Sequence, residues 1–488
     1  MNSASAGFDE AFFAASASTW LRGLAKGDFS AREAFDAVWE RILARNPQIN
    51  ALAAYDYESA REQAAEADRS YARGAARPLE GLPITIKDSF ETAGLLTACG
   101  DEALAEHIPR QDAAAVARLR AAGAIILAKT NVPRLTADFQ THNALFGVTC
   151  NPWDLALTPG GSSGGAAAAV AAGLSAFDLA SDLGGSIRWP AQACGLFGLK
   201  PSWGRISLAG HIPPLPTVRL KNPPDLAVAG PLARSASDLG LVLSLTASAE
   251  NAAPAARGKK PDDLRLALWL DPDFAPVDRD VEAGILLAAE VFRDAGAAVV
   301  EARPDFSFQD AFEIYVLLNF AIGFAGTPAE DRARFAAEAK SFATDDISYY
   351  ALRARAAKMD AATFSRLTER RAAINAAFAE FFKDYDAILC PPAPCLAFPH
   401  DFAPDPFARR LPTSAGPLPY HDLLKWASLA SLSLLPAVVA PVALTSAKGK
   451  DRVLPTGVQI ICARDDDRTA VALAGLIEKA TGGFRAPK

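Results

Sequence analysis

Two glycine pairs, each followed by a serine, stand 24 positions apart: Pro159-Gly160-Gly161-Ser162-Ser163-Gly164-Gly165 and Asp182-Leu183-Gly184-Gly185-Ser186-Ile187-Arg188. Glycine reaches torsions closed to residues with a Cβ and lets backbone N–H groups approach a small ligand. Between the turns, the alanine-rich run 166–173 predicts a helix and the apolar run 176–180 a strand. One helix and one strand return the chain to the same end of a sheet, where open α/β sheets place their sites. A serine beside such a turn can present its hydroxyl to a carbonyl while neighbouring amides face the charge that develops, as acyl transfer requires.

The rest of the chain alternates in the same way. Pro83-Ile84-Thr85-Ile86-Lys87-Asp88 and Ala124 to Ala128 predict strands, and Ala113 to Ala122 a helix stopped by Gly123. Helix and strand patterns continue through 238–245, 265–269, 281–295, 298–300, 361–382 and 387–389. This predicts an α/β fold with a mixed, mainly parallel sheet sandwiched between layers of helices. Residues 1–80 read as helical, with a capping box at Ser30-Ala31-Arg32-Glu33 and a long Ala/Glu/Arg stretch from Tyr57 to Arg73. Residues 300–425 are less regular and proline-rich from Cys390 to Pro419, a composition suited to covering a site. The 488 residues are expected to form a single domain, with its dense motif core at about 80–205.

Composition excludes several classes. A formal net charge of −7 argues against an extended basic surface for nucleic acid. The first twenty residues carry Asp9 and Glu10 and no basic residue, the wrong charge order for a secretory signal, so a cytoplasmic protein is expected. The uncharged Ala427 to Leu444 run is broken by Pro436 and Pro441 and reads as a buried helix end followed by a core strand, with no membrane span. The six cysteines lack C-x-x-C or metal-ligand spacing and read as reduced thiols. No metal or cofactor is expected. A phosphate cradle would need a lysine after Gly164-Gly165, which is absent.

Taken with Gly81-Leu82-Pro83-Ile84-Thr85-Ile86-Lys87-Asp88, Arg188-Trp189-Pro190-Ala191, Cys194-Gly195-Leu196-Phe197-Gly198-Leu199-Lys200-Pro201, Gly230-Pro231-Leu232-Ala233-Arg234-Ser235 and Leu454-Pro455-Thr456-Gly457-Val458-Gln459-Ile460, the chain resembles the amidase signature family. That resemblance implies Ser186 as nucleophile, Ser162 as bridging serine behind a cis Gly161–Ser162 peptide bond, and Lys87 as general base. It also implies an oxyanion hole from the backbone N–H groups of Leu183, Gly184, Gly185 and Ser186. Ser163 is assigned to hydrogen bonding within the turn, and Asp182 and Arg188 to a pair that supports it.

The chemistry asks for such a set independently. A serine hydroxyl is too weakly ionised at neutral pH to attack an amide, so a base must take its proton. Lysine serves only if burial brings its pKa well below about 10.4, and Leu82, Ile84 and Ile86 flank Lys87 with apolar surface. None of the five histidines lies in the two turns; His142 is nearest in sequence and reads as surface or pocket wall.

The implied activity is that of an amidase on a linear amide, with a carbamate or ester hydrolase as the alternative, followed by the A subunit of a tRNA-dependent amidotransferase. The expected partner is a small-molecule amide, and the protein is expected to be a monomer or homodimer. Trp189 stands where the amidotransferase chain typically has glutamine, which favours a stand-alone amidase, and Ser181 replaces the family's usual threonine. No appended domain of the allophanate hydrolase kind is evident. Phe139, Phe146, Trp189 and the Ile314 to Phe324 stretch are candidates for an aromatic mouth suited to a hydrophobic or aryl amide.

Overall fold

Strand residues of alternating parity pack into two different apolar layers. Leu266 and Leu268, Leu389, Val438 and Ala440, and Ile460 join one cluster with Trp20, Phe35, Leu239 and Ile477. Their neighbours Ala267, Ile388, Cys390, Ala437 and Ile461 join another with Trp269, Tyr315, Leu367 and Trp426. Period-two alternation of this kind means that both faces of a sheet are covered. The computed structural model describes residues 8–212, 224–247, 252–256, 258–324, 327–405, 408–446 and 453–488; residues 1–7 of the expected helical N-terminal region lie outside them.

The sheet has eleven strands in the spatial order Leu52–Tyr55, Ile125–Thr130, Pro83–Lys87, Phe177–Asp182, Val228–Ala233, Phe197–Lys200, Ala437–Ser446, Val453–Ile461, Ala387–Cys390, Arg265–Leu268 and Ala298–Glu301. It is mixed, as expected. Ile125–Thr130, Pro83–Lys87 and Phe177–Asp182 run parallel, as do Ala387–Cys390, Arg265–Leu268 and Ala298–Glu301. The strands between these blocks, and Leu52–Tyr55 at one edge, pair antiparallel. Parallel pairing therefore dominates the block that carries Lys87 and Asp182. In the middle, the consecutive strands Ala437–Ser446 and Val453–Ile461 pair directly and antiparallel.

The predicted helices and strands of residues 80–205 form where expected: Pro83–Lys87, Ala114–Ala121, Ile125–Thr130, Gly164–Ala171 and Phe177–Asp182. Ser30 and Glu33 make the reciprocal capping box, starting the helix Ala31–Ile49. The 427–444 run is the end of a helix, Leu423–Leu432, followed by the strand Ala437–Ser446. Among the described residues no helix is long and apolar enough to cross a membrane.

Two features depart from expectation. Residues 52–55 of the nominally helical N-terminal region are an edge strand, held by antiparallel pairing with Ile125–Thr130. Among the described residues, 300–425 hold the α-helices Phe308–Gly323, Ala329–Glu338, Tyr349–Ala356 and Ala361–Phe381, of which only the last was expected.

Candidate active site

Lys87 ends its strand beside Phe177–Asp182, fully buried together with its neighbours Ile84 and Ile86. Its Nζ lies 2.8 Å from Ser162 Oγ, 3.0 Å from Ser181 Oγ and 3.2 Å from the Ser181 carbonyl. Burial brings its pKa down to about 7, against the opposing pull of Cys99, Asp182 and Asp178. A second buried lysine on the adjacent strand has different partners. Lys129 Nζ donates to the Phe90 carbonyl at 2.7 Å and Thr97 Oγ1 at 2.8 Å and approaches Asp88 Oδ1 at 3.4 Å. Lys129 thus has the Asp88 carboxyl beside it, whereas the polar contacts of Lys87 are two serine hydroxyls and a carbonyl; burial lowers the pKa of both lysines.

The Ser162 turn is shaped by close packing. The Gly161–Ser162 peptide bond is cis, as the resemblance implied. A Cβ on Gly161 would sit 2.6 Å from the Phe139 carbonyl carbon, and one on Gly165 2.4 Å from Asn131 N, so both positions require glycine. Thr141 Oγ1 donates to the Gly160 carbonyl at 2.9 Å and accepts from Gly164 N at 3.1 Å, bridging the two glycine pairs. Ser163 Oγ donates to the Ser181 carbonyl at 3.3 Å, a bond that leaves the turn for the strand Phe177–Asp182.

The Ser186 turn is organised by Asp182 and Arg188, both fully buried. The Asp182 carboxylate accepts from Arg188 Nη2 at 2.9 Å, Arg188 Nε at 3.0 Å, Gly185 N at 2.9 Å and Ile187 N at 3.0 Å. Burial alone would raise its pKa; the guanidinium and these backbone donors outweigh that and hold it well below the usual carboxylate range. Arg188 Nη1 and Nη2 also donate at 2.9 Å to the Ala427 carbonyl, Gln459 Oε1 and Ser431 Oγ, tying the turn to the helix Leu423–Leu432 and the strand Val453–Ile461. Gly185, at φ 97°, is in the left-handed region that this turn demands.

The two turns meet through a bond from Ser163 N to the Ser186 carbonyl at 3.2 Å. Ser186 is half-buried while Ser162 and Lys87 are buried, so the three side chains form a series from accessible to dry. Among the expected oxyanion donors, Gly185 needs correction: its N–H is spent on Asp182. Leu183, Gly184 and Ser186 remain, and Tyr315 OH fixes the stretch by donating to the Leu183 carbonyl at 3.2 Å.

Of the aromatic candidates, Phe139 is half-buried beside Tyr420 and His421, and Tyr349 stacks on His421 at 3.8 Å. Tyr315 supplies the contact from the Ile314 to Phe324 stretch. Trp189 is core instead, stacked on Phe398 with its Nε1 donating to the Phe139 carbonyl at 3.0 Å. Phe146 sits in the 143–147 hairpin, its carbonyl accepting from Asn50 Nδ2. His142 packs on Phe402. The residue that sequence reasoning passed over is His211, whose Nε2 lies 2.9 Å from Ser181 Oγ; only its place shortly after the 194–201 motif hinted at it.

The Amidase family model matches residues 33–471. The chain belongs to the amidase signature family. Over 94% of both chains it is 32% identical to the A subunit of a glutamyl-tRNA(Gln) amidotransferase from Roseiflexus sp. strain RS-1 and 34% identical to its counterpart in Roseiflexus castenholzii. A solved amidase structure is 27% identical, with a TM-score of 0.78 over 96% of this chain and all of that one. Family members act on C–N bonds, and no group of three or more potential metal ligands occurs among the described residues.

Proposed function

We propose that this chain is a stand-alone amidase that hydrolyses a carboxylic amide bearing a hydrophobic or aryl group, through an acyl-enzyme on Ser186. The observation that carries the reading is the 2.8 Å contact between a dry Lys87 and Ser162, at the foot of the turn that presents Ser186. With a pKa near 7 a substantial fraction of Lys87 is neutral at physiological pH and able to accept a proton.

Ser186 Oγ attacks the carbonyl carbon while its proton passes to Ser162, whose own proton passes to Lys87. The carbonyl π pair moves to oxygen, facing the N–H groups of Leu183, Gly184 and Ser186. As the tetrahedral intermediate collapses, Ser162 protonates the departing nitrogen and is reprotonated from Lys87, leaving the ester on Ser186. Water then attacks the ester by the reverse relay and releases the carboxylate. Protonation of the nitrogen distinguishes amide cleavage, since an amide anion is a very poor leaving group. Esters and carbamates with better leaving groups depend on it less.

The preference for an apolar or aryl group is supported by Tyr315 and Leu424, which lie against the Ser186 turn, and by the aromatic group that Phe139, His421 and Tyr349 form with one another. His421 belongs to that apolar set because burial lowers its pKa to about 3. We take the chain to act in the cytoplasm as a single-domain monomer or homodimer.

The 32–34% identity to amidotransferase A subunits favours a second reading, a glutaminase subunit that works with protein partners. Trp189, packed into the core where that subunit typically carries glutamine, speaks for the first. A hydrolysis screen over anilides, aliphatic amides, carbamates and glutamine separates them. Turnover of glutamine alone would replace the stand-alone reading. In the same preparation a fluorophosphonate should label Ser186, with loss of label in Ser186→Ala; label on another residue overturns the nucleophile.

A further inference from the structure

The polar contacts of Lys87 pose a problem of donors and acceptors. A neutral amine has two N–H donors and one lone pair, and the Ser181 carbonyl can only accept. If the lone pair is to face the Ser162 hydroxyl, as the relay needs, the second N–H must go to Ser181 Oγ, 3.0 Å away. The Ser181 hydroxyl hydrogen must then leave in another direction. At 2.9 Å stands Nε2 of His211.

We propose that His211 is a positioning residue for the base: its unprotonated Nε2 accepts the Ser181 hydroxyl, which makes Ser181 an acceptor for Lys87 and reserves the lysine lone pair for Ser162. The inference rests on Lys87 being the base. With Nε2 protonated, the bond would reverse, and the Ser181 hydroxyl would turn toward the lone pair and compete with Ser162. After proton uptake the ammonium has three donors for Ser162 Oγ, Ser181 Oγ and the Ser181 carbonyl. That match too holds only while Ser181 Oγ accepts.

The fold builds this contact from the turn that follows Lys87. Glu91 N donates to the Gly210 carbonyl at 2.9 Å and Ile212 N to the Ser89 carbonyl at 2.7 Å, so residues 210–212 are laced to residues 89–91. Phe90, whose N–H donates to the Lys87 carbonyl at 3.0 Å, meets the His211 ring edge-on at 4.8 Å. Gly210 holds φ at 89° where a Cβ would lie 2.8 Å from Ala113 Cα, fixing the approach of the next residue. The lysine and the histidine are thus registered on one another through Phe90, and the Ser181 hydroxyl is bonded to both.

The test is the rate of fluorophosphonate labelling of Ser186, which reads nucleophile activation without a known substrate. His211→Phe keeps the ring against Phe90 and should slow labelling about tenfold, the size expected for losing one hydrogen bond and below the loss of a proton-transfer group. Ser181→Ala should slow it by a similar factor, and the double variant should be no slower than Ser181→Ala. Wild-type labelling in His211→Phe or in Ser181→Ala overturns the proposal. So does a double variant in which the two losses multiply, because His211 would then act by another route. His211→Asn replaces His211→Phe if thermal unfolding shows the latter misfolded. Lys87→Ala runs alongside: unchanged labelling there removes the base itself, whereas slow labelling there with normal labelling in His211→Phe removes only this inference.

Discussion

Lys87 Nζ and Ser162 Oγ lie 2.8 Å apart with less than 2% of either residue exposed. A lysine so placed is useful only when neutral, and burial brings its pKa to about 7. The sign is therefore fixed: kcat/KM on an amide should rise with pH through an apparent pKa near 7 in the free enzyme and level off above it. A pH–rate profile measures this directly. A flat profile from pH 5.5 to 9 would be incompatible with Lys87 as base.

The same burial should be visible in stability. Lys87 has a folded pKa of about 7 against an ordinary 10.5, so between those values the unfolded chain binds more protons and stability rises with pH. Below pH 7 both states are protonated and the full cost of the buried charge remains, of the order of 5 kcal/mol as an upper bound. Lys87→Met should consequently abolish amide hydrolysis while raising Tm at pH 7, an exchange of function for stability. Differential scanning calorimetry of the two proteins at pH 6, 7 and 9 checks both the sign and its fading toward high pH.

How much of this was legible in the sequence depends on distance along the chain. The two turns and Lys87 belong to local strand–turn–helix motifs, and parallel pairing of Pro83–Lys87 with Phe177–Asp182 brings Lys87 to the end of the sheet at which Ser162 lies. The Asp182–Arg188 pair, six residues apart, could also be anticipated. His211 could not, because it reaches Ser181 from 30 residues away through backbone lacing to residues 89–91. The spent N–H of Gly185 depends on the direction of one carboxylate, which no motif specifies. Leu52–Tyr55 lacks strand periodicity and exists by tertiary pairing, and Phe308–Gly323 buries apolar residues on most of its surface, which blurs its period.

Ser162 should matter more for amides than for activated esters. Ser162→Ala removes both the path to Lys87 and the proton donor to the leaving nitrogen, so anilide hydrolysis should fall by about 10²- to 10⁴-fold. Hydrolysis of a p-nitrophenyl ester with the same acyl group, whose leaving group needs no proton, should fall less. Equal losses on the two substrates would deny Ser162 the acid role while leaving it a place in Ser186 activation.

Arg188 and Asp182 should be indispensable to folding. Both are fully buried, and Arg188 carries five of its bonds to groups that would otherwise lose their partner. Arg188→Met leaves the carboxylate uncompensated in a dry site, which costs about 3–5 kcal/mol, more than the loss from Asp182→Asn, which keeps an oxygen for the Gly185 and Ile187 N–H groups. Denaturant unfolding of both variants measures the difference. If Arg188→Met unfolds at the wild-type midpoint, the ion pair is not what holds the Ser186 turn.

The apolar wall offers the last prediction. Phe139 lies against His421 and Tyr420, and its backbone touches the space that a Cβ on Gly161 would fill, so its ring and the Ser162 turn share one support. Phe139→Ala removes ring surface worth about 2 kcal/mol of apolar contact if a substrate aryl group packs there. KM for an anilide or benzamide should then rise about 10- to 30-fold with kcat little changed, while an acetamide-sized substrate should be nearly unaffected. A loss of equal size on the small amide would mean that Phe139 acts by holding the Gly161 turn, because damage to the turn reaches every substrate alike whereas a missing wall is felt only by those that lean on it.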